Sequence, residues 1–488
     1  MKNFNFYRYL LIIVMAVEIC VAQTNPQPSI PPHPSMLKYD SLKWSVPMGE
    51  PYRTVLKNGL RAYVATDSTL PLVEISGHIR YGGLFDPVGK EGLSTLIGML
   101  LRSGGTTKYP ADTVDKIIDQ KAMNFNFSAD DDIFNFRISF LSNFNDTAFD
   151  ILQQILFNPV FDQKKLDQKK SLLMEGIKHR FDNPGPTMGY AYQKAMYPKS
   201  LASHFLSEQS IKTITRDDLV KMHKKYFLTQ NIIFSIAGPF DRSVMINKLE
   251  KLFPSNGVVA DTSFPAIECK PELKSLIAFK SINQAYVRIG IPLFKRPNID
   301  YYPVSVLNQI LGGGGFTSRL GTRIRSDEGL TYSIYSNAES NYTFPGTWYI
   351  DYFTKSASFP RATQLVFQEV DKLVRDGVTP EELSAAKSML TEELPSMFRS
   401  PFDIVSTYAL NEYNGRSPDH YKKYTDEIKK ISKENISEVA KKYLQTEKMV
   451  ITVVGDTTAL FHGNDSVFDL QKFTLQKVID ATAIPQLP

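Results

Sequence analysis

Apolar and polar positions partly alternate from Arg61 to Ala65 and again from Val73 to Arg80, a period of two that predicts strands. The period then lengthens. From Glu91 to Leu101 the residues read as a helix, closed by Gly104 and Gly105, and Leu96, Ile97, Met99, Leu100 and Leu101 make it almost wholly apolar, so it should be buried. Further helices are predicted over Ala111 to Lys121, Thr147 to Leu156 and Asp162 to Phe181, the last stopping before Pro184. Tyr302 to Leu311 reads helical as far as the run Gly312-Gly313-Gly314-Gly315, and Thr379 to Glu393 as a long helix with Pro380 in its first turn.

The pattern repeats. ITRDDLVKMHKKYFLTQNIIFSIAG begins at Ile214 and ISKENISEVAKKYLQTEKMVITVVG at Ile431, an offset of 431 − 214 = 217 residues. Ile, Lys, Lys, Tyr, Thr and Gly coincide, and most other pairs keep their apolar or polar character. Each copy predicts a helix capped by Thr215 or Ser432, with Asp218 or Asn435 three residues on in place of the usual Glu of a capping box. A β-rich run ending in Gly follows, Ile232 to Ile236 or Met449 to Val454. Conservation of both offset and element order identifies an internal duplication of about 220 residues. The fold expected is α+β, two tandem homologous halves of two α+β units each.

Punctuation sets the boundaries. Lys2 and Arg8 precede an apolar run, Tyr9 to Val17, and Cys20-Val21-Ala22 forms a small-x-Ala pattern, so residues 1–22 are expected to be a cleaved export signal. The run is about half the length a membrane span needs. Residues 23–50 form a proline-rich lead-in, 51–254 the first half, 255–272 a linker with Pro265 and Pro271, and 273–488 the second half. The chain would be exported, periplasmic in a bacterium, with no membrane span after cleavage. Of its two cysteines only Cys269 would then remain, which leaves no intramolecular disulfide. Hydrophobic residues make up 42% of 488, enough to exclude intrinsic disorder, and a formal charge of +5 with well-mixed signs gives no sign of a nucleic-acid partner.

Five stretches carry a family resemblance: NGLRAYVATDSTLPLV from Asn58, DPVGKEGLSTLIGMLLRSGGTTKYP from Asp86, HRFDNPG from His179, GGGGFTSRLGTRIRSDEGLTYS from Gly312 and TPEELSAAKSML from Thr379. Together they resemble the insulinase, pitrilysin and mitochondrial processing peptidase family of zinc metallopeptidases. The resemblance spans about Tyr52 to Asp456. It implies mainly antiparallel sheets flanked by helices, each chain forming half of a clamshell.

In that family the helix at Gly92 to Leu101 holds His-x-x-Glu-His, where residues four apart grip one zinc and the Glu activates its water. Here the matching positions are Thr95, Gly98 and Met99. The third ligand, a Glu 77 residues beyond the second His, falls on Gly176, since 99 + 77 = 176. No pair among the seven histidines is three or four apart. His179 reads as a solvent-facing or capping side chain, and Glu175 lies about 100° around the helix from Gly176. No intrinsic zinc hydrolysis is expected.

The resemblance also implies roles for Arg325 and Tyr332, whose family counterparts reach from the zinc-free half to the substrate peptide. Both can donate to a carbonyl or oxyanion; the plainer alternative is a surface Arg and a packed Tyr. The run Gly312 to Gly315 reads either as a plain helix exit or as a loop that admits a substrate backbone. The implied function is a zinc-less subunit that pairs with a secreted His-x-x-Glu-His chain, binds extended peptides and supplies Arg325 and Tyr332 to cleavage there. Its own cofactor would be none, with zinc only in the partner. The alternative is a peptide-binding or chaperone-like homodimer without proteolysis.

Overall fold

The computed structural model describes residues 44–257, 263, 266–461 and 477–487, with 33, 36 and 37. The expected export signal, Pro26, Pro28, Pro31, Pro32 and Pro34 of the lead-in and part of the linker lie outside the described residues. Two compact units are distinguished, Met1–Ser45 and Val46–Pro488; the second carries all that follows.

Its described residues include twelve strands: β1 (Arg53–Val55), β2 (Arg61–Thr66), β3 (Leu72–Ile79), β4 (Asn124–Ala129), β5 (Phe134–Leu141), β6 (Ile232–Gly238), β7 (Ser275–Phe279), β8 (Gln284–Pro292), β9 (Ile334–Glu339), β10 (Thr347–Lys355), β11 (Val450–Gly455) and β12 (Lys477–Asp480). They form two six-stranded sheets, ordered β1-β2-β6-β3-β5-β4 and β12-β7-β11-β8-β10-β9. In each, the pair β2/β6 or β7/β11 is parallel and the next three pairs are antiparallel. Only the outermost pair differs, β1 antiparallel to β2 but β12 parallel to β7. The two α+β units expected in each half thus share one sheet. Strands β6 and β11 are buried at every position, as continuous apolar runs central to a sheet covered on both faces require.

Eight helices matter for the site: α1 (Leu93–Ser103), α2 (Gln163–Lys178), α3 (Pro184–Met196), α4 (Arg216–Tyr226), α5 (Tyr301–Asn308), α6 (Pro380–Glu392), α7 (Pro401–Tyr413) and α8 (Lys433–Tyr443). The 217-residue offset recurs at their first residues: 380 − 163, 401 − 184 and 433 − 216 each equal 217. The expected capping boxes close α4 and α8, with Asp218 and Asn435 returning the bond to Thr215 and Ser432.

Each half lends a helix to the other. Helix α3, from the first half, packs on β11, β8 and β7, while α7, from the second, packs on β6, β2 and β3. Met188, Ala191, Tyr192, Ala195 and Met196 of α3 join Leu276, Ala278, Val450 and Val454 in one core. From α7, Phe402, Val405, Tyr408 and Ala409 are buried, each large apolar side chain stabilising by about 1.5–3 kcal/mol. Glu412 fastens the exchange: Arg53 donates to its two oxygens at 2.8 and 2.9 Å and the Tyr63 hydroxyl at 2.8 Å. No described helix is long and apolar enough to cross a membrane.

Candidate functional site

Helix α1 begins at a buried carboxylate. Asp86 accepts from the backbone N–H of Gly92 at 3.0 Å and of Ser94 at 2.9 Å, from the Ser94 hydroxyl at 3.0 Å and from the Tyr81 hydroxyl at 3.3 Å. The carboxylate thereby satisfies the first amides of the helix and complements its dipole. Burial nevertheless pushes the Asp86 carboxyl up to about 7 against the bonds from Ser94, Gly92 and Tyr81.

Beyond that clamp, Leu93, Leu96, Ile97, Leu100 and Leu101 are buried, but Thr95 and Met99 are half-buried, four residues apart on one stripe. No residue of the helix is exposed, as its almost wholly apolar sequence predicts, and Thr95 and Met99 lie on its half-buried stripe. At Gly98 an added Cβ would meet the Phe134 ring at 3.5 Å and the Phe127 carbonyl of edge strand β4 at 3.6 Å, and at Gly176, exposed on α2, it would meet nothing within 4 Å. A hydroxyl, a thioether and two bare backbone positions do not fit zinc, which takes imidazole, carboxylate or thiolate. Nearby carboxylates are engaged otherwise. Glu175 and Asp182 hold the exposed His179 ring at 3.1 and 2.7 Å, the two raising its pKa, and Glu175 also pairs with Lys178. Among the described residues no three His, Cys, Asp or Glu side chains are grouped as a metal ligand set.

The corresponding region of the second half lies against edge strand β9. Helix α5 continues as a turn of π-helix through Gln309–Gly313, held by Asn308, whose Oδ1 accepts from the Ser336 hydroxyl at 2.8 Å and the Trp348 indole at 2.9 Å. The glycines have separate causes. A Cβ on Gly312 would lie 2.4 Å from the Ser336 backbone nitrogen of β9, so the turn packs on the strand only without a side chain. Gly315 adopts φ +61° with open space around it, the left-handed exit that glycine tolerates.

Just past this turn the exposed rings of Phe316 and Tyr332 both lie against the half-buried Arg325. Its guanidinium carbon sits 3.9 Å from the centre of the first ring and 4.6 Å from that of the second. Neighbouring charges are spoken for: Glu328 pairs with Arg323 at 2.8 Å and Arg361 at 3.0 Å, and Glu382 takes Arg319 through two bonds of 2.7 and 2.8 Å. Arg325 and Tyr332 have no hydrogen bond or ion pair among the described residues, so their donors face solvent. The two readings of Tyr332 divide here, since a packed tyrosine would not be 76% exposed. Phe316 escaped the sequence reading; an aromatic directly after a glycine run was the signal.

This geometry, a duplicated α+β chain with a metal-less helix beside one sheet edge and an Arg–aromatic cluster beside the other, defines a metallopeptidase scaffold without its metal set. A profile for insulinase, peptidase family M16, matches residues 63–206, and one for the peptidase M16 inactive domain matches 213–390. The chain belongs to the peptidase M16 family. It is 24% identical over 395 residues to the non-peptidase homolog YmxG of Helicobacter pylori, covering 79% of this chain and 90% of that one. To the uncharacterized zinc protease YmxG of Bacillus subtilis it is 26% identical over 364 residues, 74% and 87% of the two chains. A peptidase M16 inactive domain from Pseudomonas fluorescens shares the fold, with TM-score 0.74 at 22% identity over 83% of this chain and 97% of that one.

Proposed function

We propose that this chain is the zinc-less subunit of an exported M16 peptidase pair. It binds extended peptide beside its partner's metal site and supplies Arg325 and Tyr332 to the cleavage. The observation that carries this reading is the half-buried Arg325, its guanidinium carbon 3.9 and 4.6 Å from the Phe316 and Tyr332 ring centres and its N–H groups without a partner among the described residues. Stacking restrains a long side chain without consuming its donors, the preorganisation that stabilisation of a developing oxyanion needs. The neighbouring edges of β4 and β9 each pair on one side only, and an extended peptide adds to such an edge through main-chain bonds. The metal, its water and the general base belong to the partner, a secreted chain with intact His-x-x-Glu-His, because positions 95, 98, 99 and 176 offer no equivalent here.

Co-expression with such a chain tests the assignment. Arg325→Ala or Tyr332→Ala should lower the kcat of the pair about a hundredfold, the usual loss of one oxyanion donor, while zinc content and pair assembly stay unchanged. Unaltered turnover would overturn the assigned roles. Recovery from the native source as a homodimer that retains peptides without cutting them would favour the chaperone-like alternative.

A further inference from the structure

A cavity of about 660 Å³ opens between α3 and the second sheet, of the size that takes a small ligand or a peptide end. Arg288, Arg296 and Arg416 line it together with Asp131, Asp132 and Glu339. Two of these six charges are matched. Arg288 makes two bonds to Asp351 at 2.6 and 2.5 Å, and Asp132 accepts from Thr343 and pairs with Arg80 at 3.6 Å.

Asp131 and Glu339 make no ion pair among the described residues, and two of the cations make none either. Arg296 is only 8% exposed, yet its side chain has no hydrogen bond and no ion pair among the described residues. Its guanidinium carbon lies 3.6 Å from the centre of the Tyr301 ring and 4.5 Å from that of Tyr342. Arg416 lies 4.9 Å from the same Tyr342 ring centre and bonds only to neutral oxygens: Tyr342 at 2.6 Å, Asn411 at 3.2 Å and Tyr421 at 3.5 Å. The uncompensated charge is felt nearby, where burial and then Arg416 and Arg296 push His420 down to about 4. A buried guanidinium without an anion is costly; one facing a cavity is a site awaiting its counter-ion.

We propose that Arg296 and Arg416 form a subsite for a peptide carboxylate, that of the C-terminus, within this cavity. The subsite rests on the peptide-binding reading above and deepens it. A carboxylate suits the fork geometry of arginine. A phosphate dianion suits the cavity less, because Asp131, Asp132 and Glu339 share its wall. Those carboxylates lie on the same chamber as the subsite, so a cationic residue upstream of the peptide terminus would meet them.

Three fluorescein-labelled decapeptides of one apolar-rich sequence test it by anisotropy against the full chain: the free acid, the C-terminal amide, and the amide with one internal Glu. The acid should bind about tenfold more tightly than the plain amide, and Arg296→Gln or Arg416→Gln should abolish that preference while leaving amide binding unchanged. The second variant, at a half-buried position, guards against loss of fold in the first. If the Glu-containing amide matches the acid, the subsite reads any carboxylate and the terminal assignment is overturned. Equal binding of acid and amide overturns the subsite alone. Failure of all three peptides to bind overturns the peptide-binding reading and the subsite with it.

Discussion

Asp86 anchors the start of α1 in the metal-less half. Two backbone amides and two hydroxyls converge on it in a buried setting, and each donor left without an acceptor costs about 1–3 kcal/mol. Asp86→Ala should therefore destabilise the protein by about 3 kcal/mol or more, read as a lower midpoint in urea, whereas Asp86→Asn, which keeps an acceptor, should cost less. The sequence shows the DPVGKEGL motif and its family. It does not show that the carboxylate reaches six and eight residues ahead to start a helix. Arg325 and Tyr332 were legible for the same reason as Asp86, by motif. Their engagement with Phe316 was not, because stacking is a matter of distance through space.

At the scale of elements, the glycine run shows how one composition serves two demands. Gly312 is needed for contact and Gly315 for backbone conformation. Gly312→Ala should cost about 2–3 kcal/mol, because the atom that must give way is the backbone nitrogen of β9. Gly315→Ala should cost about 1 kcal/mol, the strain of a left-handed residue with free space around it. Comparing thermal melts of the two variants checks the order; a Gly315→Ala protein less stable than Gly312→Ala would refute it. Helix α5 also teaches a limit. Apolar periodicity marks its start within a residue, yet the widening into a π-turn beside Asn308, which bonds two strands, is encoded by no local pattern.

For the whole molecule the exchange of α3 and α7 is the governing feature, since each covers the sheet face of the other half. Glu412 at the end of α7 is held below the ordinary carboxylate range: burial opposes ionisation, but Arg53 and Tyr63 outweigh it. A carboxylate with a depressed folded pKa adds stability above the unfolded value of about 4.3 and loses it as pH falls through the folded value. Melts of the wild type and of Glu412→Gln should therefore differ most near neutral pH and converge below about pH 4. A constant gap down to pH 3 would refute the assignment.

By itself the sequence determined the periods, the caps, the duplication and the absence of metal donors at four positions, because each depends on residue identity and short spacing along the chain. Tertiary structure alone decided which helix covers which sheet, which arginines are left without a counter-ion and which rings stack on Arg325. Those outcomes depend on distances between segments far apart in the chain, set by how two copies of one plan bury their apolar faces on each other.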